Sequence, residues 1–347
     1  MAAGRHLSAS VYIVTDITRD SGAPERPAAG VYTVYTPARQ PILGRMAEWD
    51  PEVQVDEALA RELIGGQFPE LRDAPIRLLA AGWDNIVYLV DDRWAFRFPR
   101  RAVAVAGVER EISTLPRIAP NLPLPIPEPR HVGRPSGDYP WPWFGTPFLP
   151  GVELAAAGIP DDRRGPLATT LGAFLAALHA PGLAARIGPG LPVDPNRRAD
   201  MGFRVPGTRA RIEGLATKRL WQPTDGVSRL LADAERLPPP SRTVLLHGDL
   251  HVRHVLVDRG GAPAGVIDWG DLCVGDPSID LSLAYGAFVG ASRTQFLDAY
   301  GPVDGLTELR ARVIAAFLAA ALLAYADEVR LPKLRAEALR ALDRAVA

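Results

Sequence analysis

The segment HGDLHVRH, residues 247–254, sets an aspartate among three histidines and squeezes them between the apolar runs VLL and VLV. Polar side chains so placed leave a strand end as a short exposed loop, a position that favours chemistry over decoration. A second carboxylate, Asp268, follows Asp249 by 19 residues and closes another apolar run, AGVI. The Gly260–Gly261 turn between them folds the chain back and returns Asp268 to the neighbourhood of Asp249. A pair of carboxylates brought together in this way suits Mg²⁺-assisted phosphoryl transfer. Two other readings compete. His247, His251 and His254, at i, i+4 and i+7, would share one face of a helix and hold zinc, but the strand-like flanks and Gly248 argue against a helix there. The plainest reading makes both aspartates turn residues that accept backbone hydrogen bonds.

The elements around this segment must position it. Residues 1–45 carry two short apolar strips, VYIV and VYTVY, and read as an N-terminal extension or a loosely docked hairpin; Met46 is a conceivable second start. Helical spacing runs from Val55 to Ile64, with Gly65 and Gly66 as its expected stop. IRLLAAG, NIVYLV and WAFRF then predict three antiparallel strands, the last placing Ala95 and Arg97 on one face and Trp94, Phe96 and Phe98 on the other. A helix over Val108–Ile118 carries Glu111, and the proline-rich NLPLPIPEP after it predicts an extended connector. Leu167 to His179 is the clearest amphipathic helix. Strands are expected again at 243–246, 254–258 and 264–268, and helices at 312–326 and 333–345. A small antiparallel sheet, a connector and a helical region with an embedded hairpin define an α+β chain of two lobes.

Composition removes several classes of function. A formal net charge of -1 with 23% charged residues lacks the cationic surplus of a phosphate-backbone binder, so nucleic acid is not an expected partner. The longest apolar run, Val313–Ala326, falls short of a bilayer's thickness and predicts a buried helix, so no membrane is expected either. The single cysteine, Cys273, allows no internal disulfide and suits the cytoplasm. The chain contains 37 arginines and two lysines, Lys218 and Lys333. GxGxxG and GxxxxGK phosphate loops are both missing.

HGDLHVRH and VIDWGD resemble the signature segments of the aminoglycoside and macrolide phosphotransferases, which share the protein kinase-like fold. The likeness runs from about Met46 to the C-terminus. It implies a nucleotide-binding N-lobe over 46–147, a hinge at 144–151 and a catalytic, acceptor-binding C-lobe over 148–347. It also implies that Asp249 is the catalytic aspartate, Asp268 the principal Mg²⁺ ligand and Asp280 a support for the loop. His254 stands where the family commonly has Asn, as in the macrolide-phosphorylating branch, and would coordinate a second ion. His247 is expected to brace the loop, and His251 to make either a loop hydrogen bond or a substrate contact. WAFRFPRR resembles the strand that carries the kinase lysine, with Arg97 in its place and Glu111 as partner, Glu109 being the competitor. AGWDNIVYLV is similar to the nucleotide-positioning loop, which would set Gly82, Asp84 and Asn85 over the phosphates, and FGTPFLPG to the hinge, with Phe148 and Leu149 at the base. The implied activity is transfer from ATP or GTP, with two Mg²⁺ ions, to the hydroxyl of a small molecule by a monomer or weak dimer. The leading acceptor is a macrolide or aminoglycoside; a sugar or amino alcohol is the alternative, and a catalytically silent nucleotide binder the third reading.

Overall fold

The computed structural model describes residues 51–347 apart from Trp83, Asp138 and Gly188; the expected extension at 1–45 and Met46 lie outside the described residues. Helix α1 (Glu57–Gln67) is capped by Asp56, whose Oδ1 accepts the Leu59 N–H at 2.9 Å. The two glycines do not stop it. A helical glycine costs only about 1 kcal/mol relative to alanine, and here Gly65 allows the following turn to close in: a Cβ at this position would lie 3.1 Å from Arg72 Cα.

Five antiparallel strands follow: β1 (Ile76–Ala81), β2 (Asn85–Val90), β3 (Trp94–Pro99), β4 (His131–Gly133) and β5 (Trp143–Pro147), in the order β1-β2-β3-β5-β4. The first three match the alternation in the sequence. The last two, short and separated by turns, were not foreseen. Phe96 and Phe98 turn into an aromatic core with Phe68, Tyr139 and Trp143, while Ala95 packs with Leu79, Ala80, Val87 and Leu89 on the other face. Helix α2 (Ala102–Ile118) begins six residues before the expected Val108 and passes tightly over the C-terminal half, where Gly107 leaves room for the Gly270 carbonyl. The proline-rich connector is irregular, as expected, and its Pro125 carbonyl accepts the Val266 N–H at 3.0 Å.

The remainder holds β6 (Val152–Glu153), α3 (Leu154–Ala157), α4 (Gly165–Leu178), α5 (Pro181–Ile187), α6 (Met201–Thr217) and α7 (Asp225–Ala234). After these come β7 (Val244–Leu246), β8 (Val255–Val257), β9 (Pro263–Val266), β10 (Cys273–Gly275), α8 (Ser278–Ala287), α9 (Gly290–Tyr300), α10 (Gly305–Glu328) and α11 (Pro332–Val346). The hairpin β8–β9 is joined by β6, whereas β7 pairs with β10, a strand not anticipated. Segment 247–254 therefore bridges two small sheets. Strand β9 stops at Val266, so Asp268 lies beyond the strand rather than at its end, with φ at 65°.

By length and composition α10 could cross a membrane. It is instead the core helix of this half, packed against α6, α8 and α11 through a run of alanines and leucines. Beneath it, Arg164 forks onto Glu337 at 2.8 and 2.9 Å, and Arg344 reaches the same carboxylate at 2.7 Å, all three fully or nearly fully buried.

Candidate active site

The segment between β7 and β8 is buried, not exposed: His247, Asp249 and His254 each show 2% or less of their surface. Its backbone is satisfied inward, which lets other elements close over it. Asp280, in the first turn of α8, accepts the N–H groups of His247 at 2.8 Å and Gly248 at 3.0 Å. Gly248 is required: φ is 87°, and a Cβ would meet the Asp271 carbonyl at 2.2 Å. His247 braces the loop, its Nε2 donating to the Ile267 carbonyl at 2.9 Å and its Nδ1 accepting the Asp249 N–H at 3.2 Å. His254 Nδ1 donates to the Asp249 carbonyl at 2.8 Å, leaving Nε2 as the ring's ligand atom. His251 accepts the Arg253 N–H through Nδ1 at 3.3 Å and also borders a small apolar cavity between α8, α10 and α11.

Three of the expected residues meet in one buried chain. Arg97, from β3, contacts Glu111 of α2 at 2.9 Å through Nη1 and Asp268 Oδ1 at 3.3 Å through Nη2. Glu111, not the exposed Glu109, is the partner. Asp268 Oδ2 and His254 Nε2 approach to 3.3 Å without hydrogen-bond geometry, both buried, a contact that is ionic only when His254 is protonated.

The loop before β2 is tied to the start of α2. Gly82 N–H donates to the Asn85 carbonyl at 2.8 Å, Arg100 Nη1 to the Gly82 carbonyl at 2.7 Å, and Asp84 pairs with Arg101 at 2.9 Å. Asn85 is buried at the start of β2. Phe148 packs against Leu79, Ala80, Val87 and Leu89, on the face of the sheet that carries Arg97. Leu149 packs close to Gly265 of β9, where a Cβ would lie 3.1 Å from its Cδ1.

Burial and charge separate these groups electrostatically. Asp249 is pushed up to about 6 by burial, against the pull of Arg198 and with the help of Asp271. Burial would raise Asp268 too, but His254 and Arg97 outweigh it and hold its carboxyl well below the usual range. His254 moves up, since Asp268 and Asp249 overcome the burial that alone would lower it. Glu111 rises to about 7 through burial, offset in part by Arg97. Burial takes His247 down to about 4 and also lowers His251.

Four residues around the loop carry no sequence signal. Arg198 contacts Asp249 Oδ1 and Asp271 Oδ2, each at 3.2 Å. Glu153 pairs with Arg253 at 3.2 Å, and His179 links Asp280, at 3.3 Å, to the Tyr300 hydroxyl, at 3.0 Å. Arg198 is one of 37 arginines, and Glu153, His179 and Tyr300 sit in ordinary helical or strand contexts.

A sheet-borne cation joined to a carboxylate past a β-hairpin, next to an aspartate loop between two short strands, is the layout of a phosphoryl-transfer enzyme of the protein kinase-like type. The chain belongs to the phosphotransferase enzyme family, whose model matches residues 75–314. It is similar to the wild-type aminoglycoside 2'-phosphotransferase-IIIa in its GDP complex (23% identity, TM-score 0.62, 84% of this chain and 99% of that one). It is also similar to macrolide 2'-phosphotransferase type I (25% identity, TM-score 0.52, 83% and 98%). A further structure is the GDP and kanamycin complex of APH(2")-IIIa (24% identity, TM-score 0.61, 82% and 97%). Among curated proteins, "Uncharacterized protein YcbJ" of Bacillus subtilis (strain 168) is 26% identical over 270 residues, 72% of this chain and 83% of that protein. The fold is accordingly the family's mixed α+β arrangement, an N-terminal sheet region followed by a larger helical region.

Proposed function

We propose that this protein is a Mg²⁺-dependent small-molecule O-phosphotransferase that moves the terminal phosphoryl group of ATP or GTP to a hydroxyl. The observation that carries the reading is the buried chain Glu111–Arg97–Asp268, which ties the sheet and α2 to the segment after β9, with Asp268 in turn beside His254 of the loop holding Asp249. Arg97 would hold phosphate oxygens through its planar fork, a role that lysine plays in kinases. The acceptor oxygen forms a bond to the terminal phosphorus as the bond from phosphorus to the bridging oxygen breaks. The hydroxyl proton passes to Asp249, and the nucleoside diphosphate leaves with the electron pair.

Two atoms suit a divalent ion: Asp268 Oδ2 and His254 Nε2 are both buried without a hydrogen-bond partner among the described residues. The ligand atoms of Asp249, His251 and His254 also lie within 4.8 Å of one another. Asp268 and His254 would hold the ion, and an imidazole in the set widens it toward Mn²⁺. Bound there, the ion would neutralise charge developing on the phosphates. The nucleotide site would lie between the face carrying Arg97 and Phe148 and the wall at Leu149 and Gly265. Gly82, Asp84 and Asn85 would cover the phosphates, with residues 144–151 as the hinge between lobes spanning 46–147 and 148–347. The GDP complexes of the similar structures support a nucleoside triphosphate donor.

The acceptor side favours a macrolide-like molecule over a polycationic aminoglycoside. Arg204 and Arg211 of α6 both stack on Phe317 of α10, at 4.1 and 4.4 Å, and Arg204 bonds the backbone beside Arg198. Asp298, Asp327 and Glu328 are exposed, and Asp304 is engaged in capping α10. Exposed, solvated carboxylates hold a polycationic guest weakly. The buried thiol of Cys273 and the lack of other cysteines fit a cytoplasmic enzyme. The test is a coupled screen of ATP and GTP against erythromycin, kanamycin, ethanolamine and glucose. Acceptor-dependent release of ADP or GDP is expected, and nucleotide binding without any transfer would instead favour a silent binder.

A further inference from the structure

Resting on the phosphotransfer reading above, we propose that Arg198 is a positioning residue whose guanidinium fixes Asp249 Oδ1, so that Oδ2 is the oxygen presented to the acceptor hydroxyl. Arg198 Nη2 lies 3.2 Å from Asp249 Oδ1 and 3.2 Å from Asp271 Oδ2. Asp249 Oδ2 is buried and has no hydrogen-bond partner among the described residues; His251 Nε2 is 3.8 Å away. The carboxylate thus has one oxygen engaged and one idle, as an acceptor of an incoming proton must.

The strap that delivers Arg198 is heavily anchored. Asp194 N–H donates to the Val274 carbonyl, and Val274 N–H donates to that of Pro192, both at 2.9 Å. The Asp194 carboxylate accepts the N–H groups of Arg198 at 2.8 Å and Ala199 at 2.9 Å. Asn196 Nδ2 reaches Asp271 Oδ1 at 3.1 Å, and from α6 Arg204 Nε donates to the Arg198 carbonyl at 3.3 Å. Within this strap Asp194 and Arg197 hold φ values of 31° and 50°, strained for non-glycine residues.

Simple cross-linking of strap to loop explains less. The loop is already held by Asp280 and by the Ile267 carbonyl, and Asp271 alone would anchor an arginine. The Arg198 Nη1 is buried with no hydrogen-bond partner among the described residues, a cost that an apolar anchor would avoid. What the guanidinium adds is a defined orientation of a carboxylate that would otherwise rotate, and orientation is worth a large factor in rate.

Kinetics of ADP and GDP release by the full chain with Mg²⁺, on the four acceptors above and on water alone, test this. Arg198→Met should lower kcat by about 10- to 100-fold, the loss expected of a misplaced reacting group, while the nucleotide KM stays put. Arg198→Lys should recover part of the rate, and methylguanidinium should restore Arg198→Ala without accelerating the wild type. A wild-type kcat in Arg198→Met, or a change confined to nucleotide KM, overturns the proposal. A crystal structure of Arg198→Met gives a readout free of turnover: Asp249 should turn or spread over two orientations, and an unmoved carboxylate overturns the proposal. If Arg198→Met does not fold, Arg198→Lys carries both readouts. A wild-type protein that transfers phosphate to nothing refutes the phosphotransfer reading, and the crystal structure still decides whether Arg198 orients Asp249.

Discussion

Two aspartates of one site lean in opposite directions: burial draws Asp249 toward its protonated form, whereas His254 and Arg97 keep Asp268 anionic despite equal burial. That division suits a proton acceptor beside a cation ligand, and it separates the effects of removing each. Asp249→Ala should reduce acceptor phosphorylation by at least about a hundredfold, the usual contribution of a positioned acid–base group, with nucleotide affinity nearly intact. Steady-state kinetics with parallel calorimetry check this, and equal turnover sinks the role. Asp268→Ala should instead lose Mg²⁺-dependent nucleotide binding, seen as calorimetric affinity that no longer responds to the ion. At this scale the sequence is legible where a motif keeps its spacing, as for Asp249, Asp268 and Asp280. It is silent on Arg198, which sits in a strap without a pattern and whose partner Asp249 lies 51 positions away, beyond α6, α7 and β7.

Elements declared by hydrophobic period were readable, and those made by pairing were not. The alternation in β2 and β3 and the apolar stripe of α4 announce themselves locally. By contrast β10 is three residues long and exists only through its pairing with β7, a strand expected over 243–246, so no local signal announces β10 or the separate sheet the two form. Gly65 was misread for a related reason, since its value lies in a contact with Arg72 and not in its own propensity. The same logic predicts a weak point in the α4–α9 packing. A Cβ on Gly172 would lie 2.2 Å from the Phe296 carbonyl, so Gly172→Ala should destabilise by about 1–3 kcal/mol, the range for overpacking a core. Chemical denaturation checks it: a midpoint unchanged from wild type would show that α9 yields freely.

The whole molecule rests partly on charge far from the chemistry. Glu337 is held below its ordinary value because Arg164, with Arg344 and Arg340, outweighs the burial that would raise it. A depressed carboxylate contributes stability that is present above its unfolded value of 4.5 and is lost as pH falls through the lower folded value. Unfolding midpoints should therefore drop in the acid range below 4.5, and Glu337→Gln should flatten that dependence. At neutral pH the same substitution should cost about 3 kcal/mol, because Arg164 and Arg344 lose their buried counter-charge and keep only the half-buried Asp161 as an acidic partner. A midpoint at pH 7 equal to wild type would show that the arginines find other partners.

The arginine at position 97 also decides how this protein can be found. Acyl-phosphate nucleotide probes, which mark kinases by acylating a lysine amine in the nucleotide site, have no amine to attack there, and the two lysines, Lys218 and Lys333, lie outside the sheet. A survey of cell extracts with such reagents would pass over an active enzyme. Phenylglyoxal, which condenses with guanidinium groups, should inactivate it instead, and on the role proposed for Arg97 Mg²⁺ with nucleotide should slow that inactivation.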